Sequence, residues 1–305
     1  MNVVRTIADA RRERAKHERI ALVPTMGALH AGHLALIEHA RKHASRVAVS
    51  IFVNPTQFGP REDFGKYPRP IMEDLAKCEA AGVDFVFHPP PEEMYHPDAP
   101  DIVVDLPSLT SVLEGRHRPG HFKGVCQVVA KLFNILTPSV ACFGQKDYQQ
   151  LRVLTAMVEA LDWPIQIVGC PTVREPDGLA MSSRNQYLSA DERQRALAIP
   201  RSLMQVKLQI ADGIRQTNRL LTSMQNVLLD KGNLGRIPVS VDYVAAVDPR
   251  TLKPVEVVTG PTVFATAARV GTTRLIDYVL VDPPTEPPVK PPAPPTVVNP
   301  DLPPL

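Results

Sequence analysis

The sequence predicts an α/β protein: a parallel sheet with helices on both faces, followed by a smaller α+β domain. Three observations carry that expectation. Short apolar runs alternate with stretches of helical spacing from residue 20 to residue 168. Clusters of Gly, His, Ser and Lys fall directly after the apolar runs. Past residue 190 the order changes to helices first and strands afterwards. Residues 20–23, 47–53, 84–87, 141–143 and 165–168 read as strands, and 33–44, 70–81, 122–136 and 148–161 as helices. Gly82 closes the second of these helices. Alternation of this kind needs crossover connections, and such sheets bind ligands beyond the carboxyl ends of their strands.

Ser189-Ala-Asp-Glu192 has the capping-box pattern that opens a helix. Helices are expected over 190–211 and 218–230, then strands over 239–247, 262–269 and 275–281. The expected division is 1–188, 189–282 and a tail, 283–305. That tail holds 11 prolines among 23 residues, so it can form neither ladder nor core and should be extended. It reads as a dispensable tail or as a PxxP-type ligand.

A net charge of +2 over 305 residues is too mild for a nucleic-acid surface and fits local sites for an anionic substrate. Cys78, Cys126, Cys142 and Cys170 form no CxxC pair and read as reduced thiols packed as small hydrophobes. Met1-Asn-Val-Val-Arg runs into Arg11-Arg-Glu-Arg14, unlike a signal peptide, and no apolar stretch approaches the ~20 residues of a membrane helix. The expected location is the cytoplasm.

The strongest motif is Pro24-Thr-Met-Gly-Ala-Leu-His-Ala-Gly-His33, a glycine-bearing turn between a strand and a helix. Such a turn offers backbone N–H groups and a positive dipole end to phosphate. His30 and His33 are three apart and share a face, and Gly32 leaves room for close approach. Zinc would need further ligands and none cluster nearby; His39 and His43 read as solvated, so no metal site is expected. A pair of packed core histidines is the plain alternative.

Four more loops follow. Asn54 to Phe58 directly follows the strand 47–53, and Gln57 offers an amide to a hydroxyl or carboxylate, or merely caps its turn. Gly144-Gln-Lys-Asp147 sets a lysine at a helix start, where it serves as a point charge for phosphate or is solvated. Met181-Ser-Ser-Arg184 supplies two hydroxyls and a guanidinium. Arg116 to Gly124 is a basic loop that either closes on an anion or is simply hydrated.

Together these segments resemble the pantothenate synthetase family of HIGH-motif nucleotidyltransferases. The resemblance rests on PTMGALHAGH at 24–33, SIFVNPTQF at 50–58, YPR at 67–69, RPGHFKGV at 118–125, FGQKDYQQL at 143–151, DGLAMSSRNQYLS at 177–189 and RLID at 274–277. His30-Ala-Gly-His33 carries the histidine signature, and Met181-Ser-Ser-Arg184 is similar to the second, KMSKS, with arginine in place of lysine. The tail lies outside the resemblance.

The resemblance implies a Rossmann-like first domain and an ATP-dependent, Mg²⁺-assisted ligase. It joins (R)-pantoate to β-alanine through pantoyl adenylate, releasing AMP and pyrophosphate. It also implies a homodimer. By matching position, Met26, Gly27, Ala28, Leu29, His30, Ala31, Gly32 and His33 line the ATP site, with Gly144, Gln145, Lys146 and Asp147. Val173 reads the adenine through its backbone, and Met181, Ser182, Ser183 and Arg184 complete the set. His33, His30, Lys146, Ser182, Ser183 and Arg184 are the catalytic candidates. His33 is the family's catalytic acid, although electrostatic stabilisation is the physically preferred role. Gln57 and Gln150 hold pantoate, with Asn54, Tyr67, Arg118 and His121 as further substrate contacts. An enzyme adenylating a phosphate, or a non-enzymatic scaffold recruiting through its tail, are the competing readings.

Overall fold

In a computed structural model, residues 1–60, 62–100, 102–229 and 239–283 are described. The strands of the first sheet are β1 (Asn2–Val4), β2 (Ile20–Thr25), β3 (Arg46–Ile51), β4 (Phe85–Phe87), β5 (Val140–Gly144) and β6 (Gln166–Cys170). Their order is β1-β4-β3-β2-β5-β6, and every pairing is parallel. The chain steps outward from β2 through β3 to β4, then returns to the other side of β2 with β5. The strand order therefore reverses between β2 and β5, which opens a crevice at their carboxyl ends.

The helices are α1 (Ile7–Arg14), α2 (Ala31–Arg41), α3 (Ile71–Ala80), α4 (Pro91–Met94), α5 (Pro107–Thr110), α6 (Glu114–His117), α7 (His121–Leu136) and α8 (Tyr148–Ala160). Side chains alternate across β2, so Ile20 and Leu22 join one layer while Ala21 and Val23 join the other. The first layer holds Ala10 of α1, Phe133 and Leu136 of α7, and Leu154 and Met157 of α8. The second holds Ile37 and Ala40 of α2 and Cys78 of α3. Gly124 of α7 packs directly on the loop after β3: a Cβ there would lie 2.3 Å from the Thr56 carbonyl oxygen. This close approach brings α7 against one wall of the crevice.

The second unit has α9 (Ala190–Ala196), α10 (Ala198–Ala211), α11 (Thr217–Leu228) and an antiparallel sheet β7-β8-β9 (Ser240–Val247, Thr262–Val270, Thr273–Val281). The capping box forms as the sequence predicts, Ser189 and Glu192 each bonding the other's backbone N–H. The single helix expected over 190–211 is instead two, meeting at Leu197. Pro200 has no N–H to give the Ala196 carbonyl, and its ring is tolerated only in a first turn, so a new helix starts there. Two elements at the start of the chain, β1 and α1, escaped the sequence reading: three residues carry no periodicity, and α1 is largely charged. Residue 230 of the expected helix and residues 284–305 of the proline-rich tail lie outside the described residues. No helix among the described residues is long and apolar enough to cross a membrane.

Candidate active site

The crevice between β2 and β5 is a cleft of about 240 Å³, fed by the loops after β2, β3, β5 and β6. His30 is the N-cap of α2, and the cap is built from two imidazoles. The His30 Nδ1 accepts the Gly32 N–H at 3.1 Å, and the His33 Nδ1 accepts the His30 N–H at 3.3 Å. Backbone N–H groups only donate, so both Nδ1 atoms are bare and each ring carries its proton on Nε2. The rings lie 4.1 Å apart. Burial, with the Lys146 ammonium adding to it, pushes His30 down to about 4 and His33 down to about 3. Near neutral pH they are a pair of uncharged N–H donors.

The loop before them departs from the sequence expectation. Its amides do not stand free for phosphate: Gly27 donates to Thr25 Oγ1 at 3.1 Å, Ala28 to Asp74 Oδ2 at 2.8 Å and Leu29 to Asp74 Oδ1 at 2.7 Å. Lys77 Nζ donates to the Leu29 carbonyl at 2.8 Å, so α3 grips the loop from behind. Gly27, at φ +81°, is where a Cβ would meet Asp74 Oδ2 at 2.9 Å. Gly27, Ala28, Leu29 and Ala31 accordingly do not line the cleft, whereas Met26, His30, Gly32 and His33 do. Asp74 is only 1% exposed. Asp74→Asn keeps one acceptor but turns an NH₂ toward the second amide, so it should cost about 2 kcal/mol, or about 4–8 °C of melting temperature. Thermal melts and the KM for ATP measure this; unchanged values for both would remove Asp74 from the role.

Beyond β5, Gly144, Lys146 and Asp147 line the cleft. Gln145 does not: its side chain donates to the Gly169 carbonyl at 3.3 Å and accepts from Tyr278 of β9 at 3.3 Å. Lys146 Nζ lies 3.9 Å from Asp147 Oδ1. From the loop after β6, Val173 lines the cleft and its carbonyl accepts the Met181 N–H at 3.0 Å. The Met181 sulfur sits 3.3 Å from the Gly32 N–H, which brings residues 181–184 over the α2 cap. Ser182, Ser183 and Arg184 face the same hollow. Arg184 is already engaged, its Nε and Nη2 donating to Asp63 at 3.0 and 2.9 Å. Burial opposes its charge, yet Asp63 holds the guanidinium above its usual range. Tyr67, 3.4 Å from Ser183 Oγ, closes this side.

Asn54, Gln57, Arg118, His121 and Gln150 also line the cleft. Gln57 accepts from Asn54 Nδ2 at 3.1 Å and places its own NH₂ 3.0 Å from the Met26 sulfur. His121 Nδ1 donates to the Gln57 carbonyl at 2.8 Å, because a carbonyl can only accept. Its bare Nε2 takes a hydrogen bond from Arg118 Nη1 at 3.0 Å, and Arg118 forks onto Glu62 at 2.7 Å through two nitrogens. Burial, reinforced by Arg118, pushes His121 down to about 4. Arg118 and His121 therefore brace the wall that carries Gln57.

The second unit is pinned to the first by two forked ion pairs of opposite sense. Arg274 of β9 donates to both carboxylate oxygens of Glu114, and Arg174 donates to Asp277 at 2.7 and 3.0 Å. RLID thus supplies a cation and an anion to opposite partners. A larger hollow of about 1230 Å³ between the units reaches Lys146, Arg118 and Arg184. Among the described residues no group of three or more His, Cys, Asp or Glu could hold a metal ion.

A parallel sheet with paired neutral imidazoles and a lysine at its switch point, capped by a small antiparallel domain, defines a Rossmann-like, nucleotide-binding class of enzyme. Comparison sharpens this. The sequence model described as pantoate-beta-alanine ligase matches residues 2–280. A pantothenate synthetase of Clostridium novyi is 52% identical over 258 residues, covering 85% of this chain and 89% of its own. That of Sulfurihydrogenibium sp. is 49% identical over 262 residues, covering 86% and 92%. The crystal structure of pantothenate synthetase from Thermus thermophilus superposes with a TM-score of 0.85 at 43% identity, covering 92% of this chain and 99% of that one. A Francisella tularensis ligase, complexed with beta-gamma ATP and beta-alanine, gives 0.75 at 31% identity over 92% and 97%. The chain belongs to the pantoate–β-alanine ligase family.

Proposed function

We propose that the protein makes pantothenate in two steps at this one cleft. A pantoate carboxylate oxygen first attacks the α-phosphorus of ATP; the bond to the β,γ-diphosphate breaks, and pyrophosphate leaves. The β-alanine amine then attacks the carbonyl of the resulting pantoyl adenylate, its ammonium proton goes to solvent, and AMP leaves. Direct amide formation would have to expel oxide from a carboxylate, so activation of this kind is chemically required.

The observation that carries this reading is the convergence of two imidazole N–H donors, Lys146 and Ser182-Ser183-Arg184 on one hollow. In this reading those groups hold the phosphates, the ribose lies toward Gly144 and Asp147, and the adenine lies against Val173. Gln57 and Gln150 take the oxygens of pantoate, with Asn54, Tyr67, Arg118 and His121 framing them. The apolar wall of Phe52, Val125, Val128 and Val129 suits the dimethyl carbon of pantoate. Gly27, Ala28, Leu29, Ala31 and Gln145 support the ATP site from outside its lining.

Mg²⁺ is bound in such sites through phosphates and one or two carboxylates, and Asp147 is a carboxylate that lines this cleft. Bound there, it would neutralise phosphate charge. We read residues 1–188 as the nucleotide- and pantoate-binding domain and 189–282 as a lid domain, in a cytoplasmic homodimer.

The test is pyrophosphate exchange into ATP, omitting each substrate in turn. Exchange that needs pantoate and not β-alanine is expected; exchange independent of pantoate would overturn the two-step reading. His33, neutral and half-buried, stabilises the leaving phosphates as a hydrogen-bond donor. The pH profile of kcat/KM should therefore show no limb belonging to His33 between about pH 5 and 8. A limb present in the wild type and absent in His33→Asn would refute this.

A further inference from the structure

Gln57 can hydrogen-bond the carboxylate of a hydroxy acid only if its NH₂, and not its carbonyl, faces the cleft. The orientation of that amide is decided by Asn54, three residues earlier. Asn54 is 1% exposed and fully bonded within the protein. Its Oδ1 accepts from the Thr56 N–H at 3.3 Å, from Thr56 Oγ1 at 3.0 Å and from the Tyr95 hydroxyl at 2.7 Å. Its Nδ2 donates to the Gly124 carbonyl at 3.0 Å and to Gln57 Oε1 at 3.1 Å. A backbone N–H only donates and a backbone carbonyl only accepts, so the Asn54 amide has a single satisfied orientation. The Gln57 oxygen is thereby occupied, and its NH₂ is left at the Met26 sulfur, 3.0 Å away, beside the cleft.

The shortest of the five Asn54 contacts is the one from Tyr95. Tyr95 follows α4, is not among the lining residues of the cleft, and is held by its ring against Phe52 and beneath the Lys131 ammonium. We propose that Tyr95 is a positioning residue for the pantoate subsite. Its hydroxyl anchors the position of Asn54, whose orientation the Thr56 N–H and the Gly124 carbonyl set, and Asn54 presents the Gln57 NH₂ as a donor to an acceptor oxygen of the bound acid. This rests on the reading that Gln57 holds pantoate.

The experiment is steady-state kinetics of Tyr95→Phe, which removes the hydroxyl and keeps the ring, alone and combined with Gln57→Ala. The KM for pantoate should rise about tenfold, the worth of one neutral hydrogen bond, with the KM values for ATP and β-alanine and the melting temperature unchanged. In the Gln57→Ala background the same substitution should change nothing, since its effect runs through Gln57. An unchanged KM for pantoate in Tyr95→Phe, or an equal rise with and without Gln57, overturns the proposal. Asn54→Asp carries the test should Tyr95→Phe fold poorly. It keeps the acceptor toward Tyr95 and Thr56 but turns a second acceptor to Gln57, so the Gln57 amide must rotate and the KM for pantoate should rise at least about tenfold. If Gln57→Ala itself leaves the KM for pantoate unchanged while the enzyme still uses pantoate, the placement of pantoate against Gln57 fails, and the relay fails with it.

Discussion

Lys146→Ala slows formation of the pantoyl adenylate by roughly 10²–10³-fold in a single turnover, the loss expected for one oriented charge stabiliser. The reasoning is electrostatic. His30 and His33 are neutral, so they contribute hydrogen bonds without net charge. Arg184 is shared with Asp63, and Arg118 with Glu62. Lys146 stands 3.9 Å from Asp147, a looser contact than either forked pair, and so is the cation best able to turn toward a triphosphate. The same ammonium helps depress both imidazoles, which locates its field at the α2 cap. A single-turnover rate within about threefold of wild type would show that the phosphate charge is carried elsewhere.

Arg274→Met lowers stability by about 3–5 kcal/mol, the range measured when one partner of a buried ion pair is removed. The Glu114 carboxylate is left behind on a residue 7% exposed, with the Tyr243 hydroxyl as its one remaining hydrogen-bond donor among the described residues. Burial works against the charge of Arg274, but Glu114 and Asp242 hold it well above the usual range, so the guanidinium stays charged at any working pH. A fall of about 10 °C in melting temperature is expected for a chain of this size. Pairing the change with Glu114→Gln should restore part of it, because the stranded charge is gone. Equal melting of single and double variants would mean the loss comes from packing. Activity should fall with the single variant too, since Glu114 lies four residues before Arg118 and fixes the loop that braces Gln57.

Much of the fold was readable in the chain because one periodicity governed each element. β2 is apolar from Ile20 to Pro24 and β5 is apolar throughout, and α7 carries a buried face over its whole length, so local pattern and tertiary position agree. Where they disagree, spacing along the chain misplaces the element. A three-residue edge strand has no period to detect, and Pro200 split a helix whose apolar face runs on regardless. Within the cleft, most of the expected residues line one hollow because the segments leaving β2, β3, β5 and β6 start from parallel strands whose carboxyl ends lie on one side, while Tyr67, Arg118 and His121 reach it from longer connections.

Composition, strand–helix alternation and the seven motifs were enough to set the α/β class, the ligase family and the chemical groups available for binding a nucleotide. Tertiary structure alone decided what those groups can do. Asp74 silences the loop amides from 45 residues downstream, a helical cap fixes the proton of each histidine on Nε2, and Thr56, Gly124 and Tyr95 together aim one glutamine. Charge state and hydrogen-bond direction depend on which atoms meet after distant segments pack, and sequence spacing carries no record of that meeting.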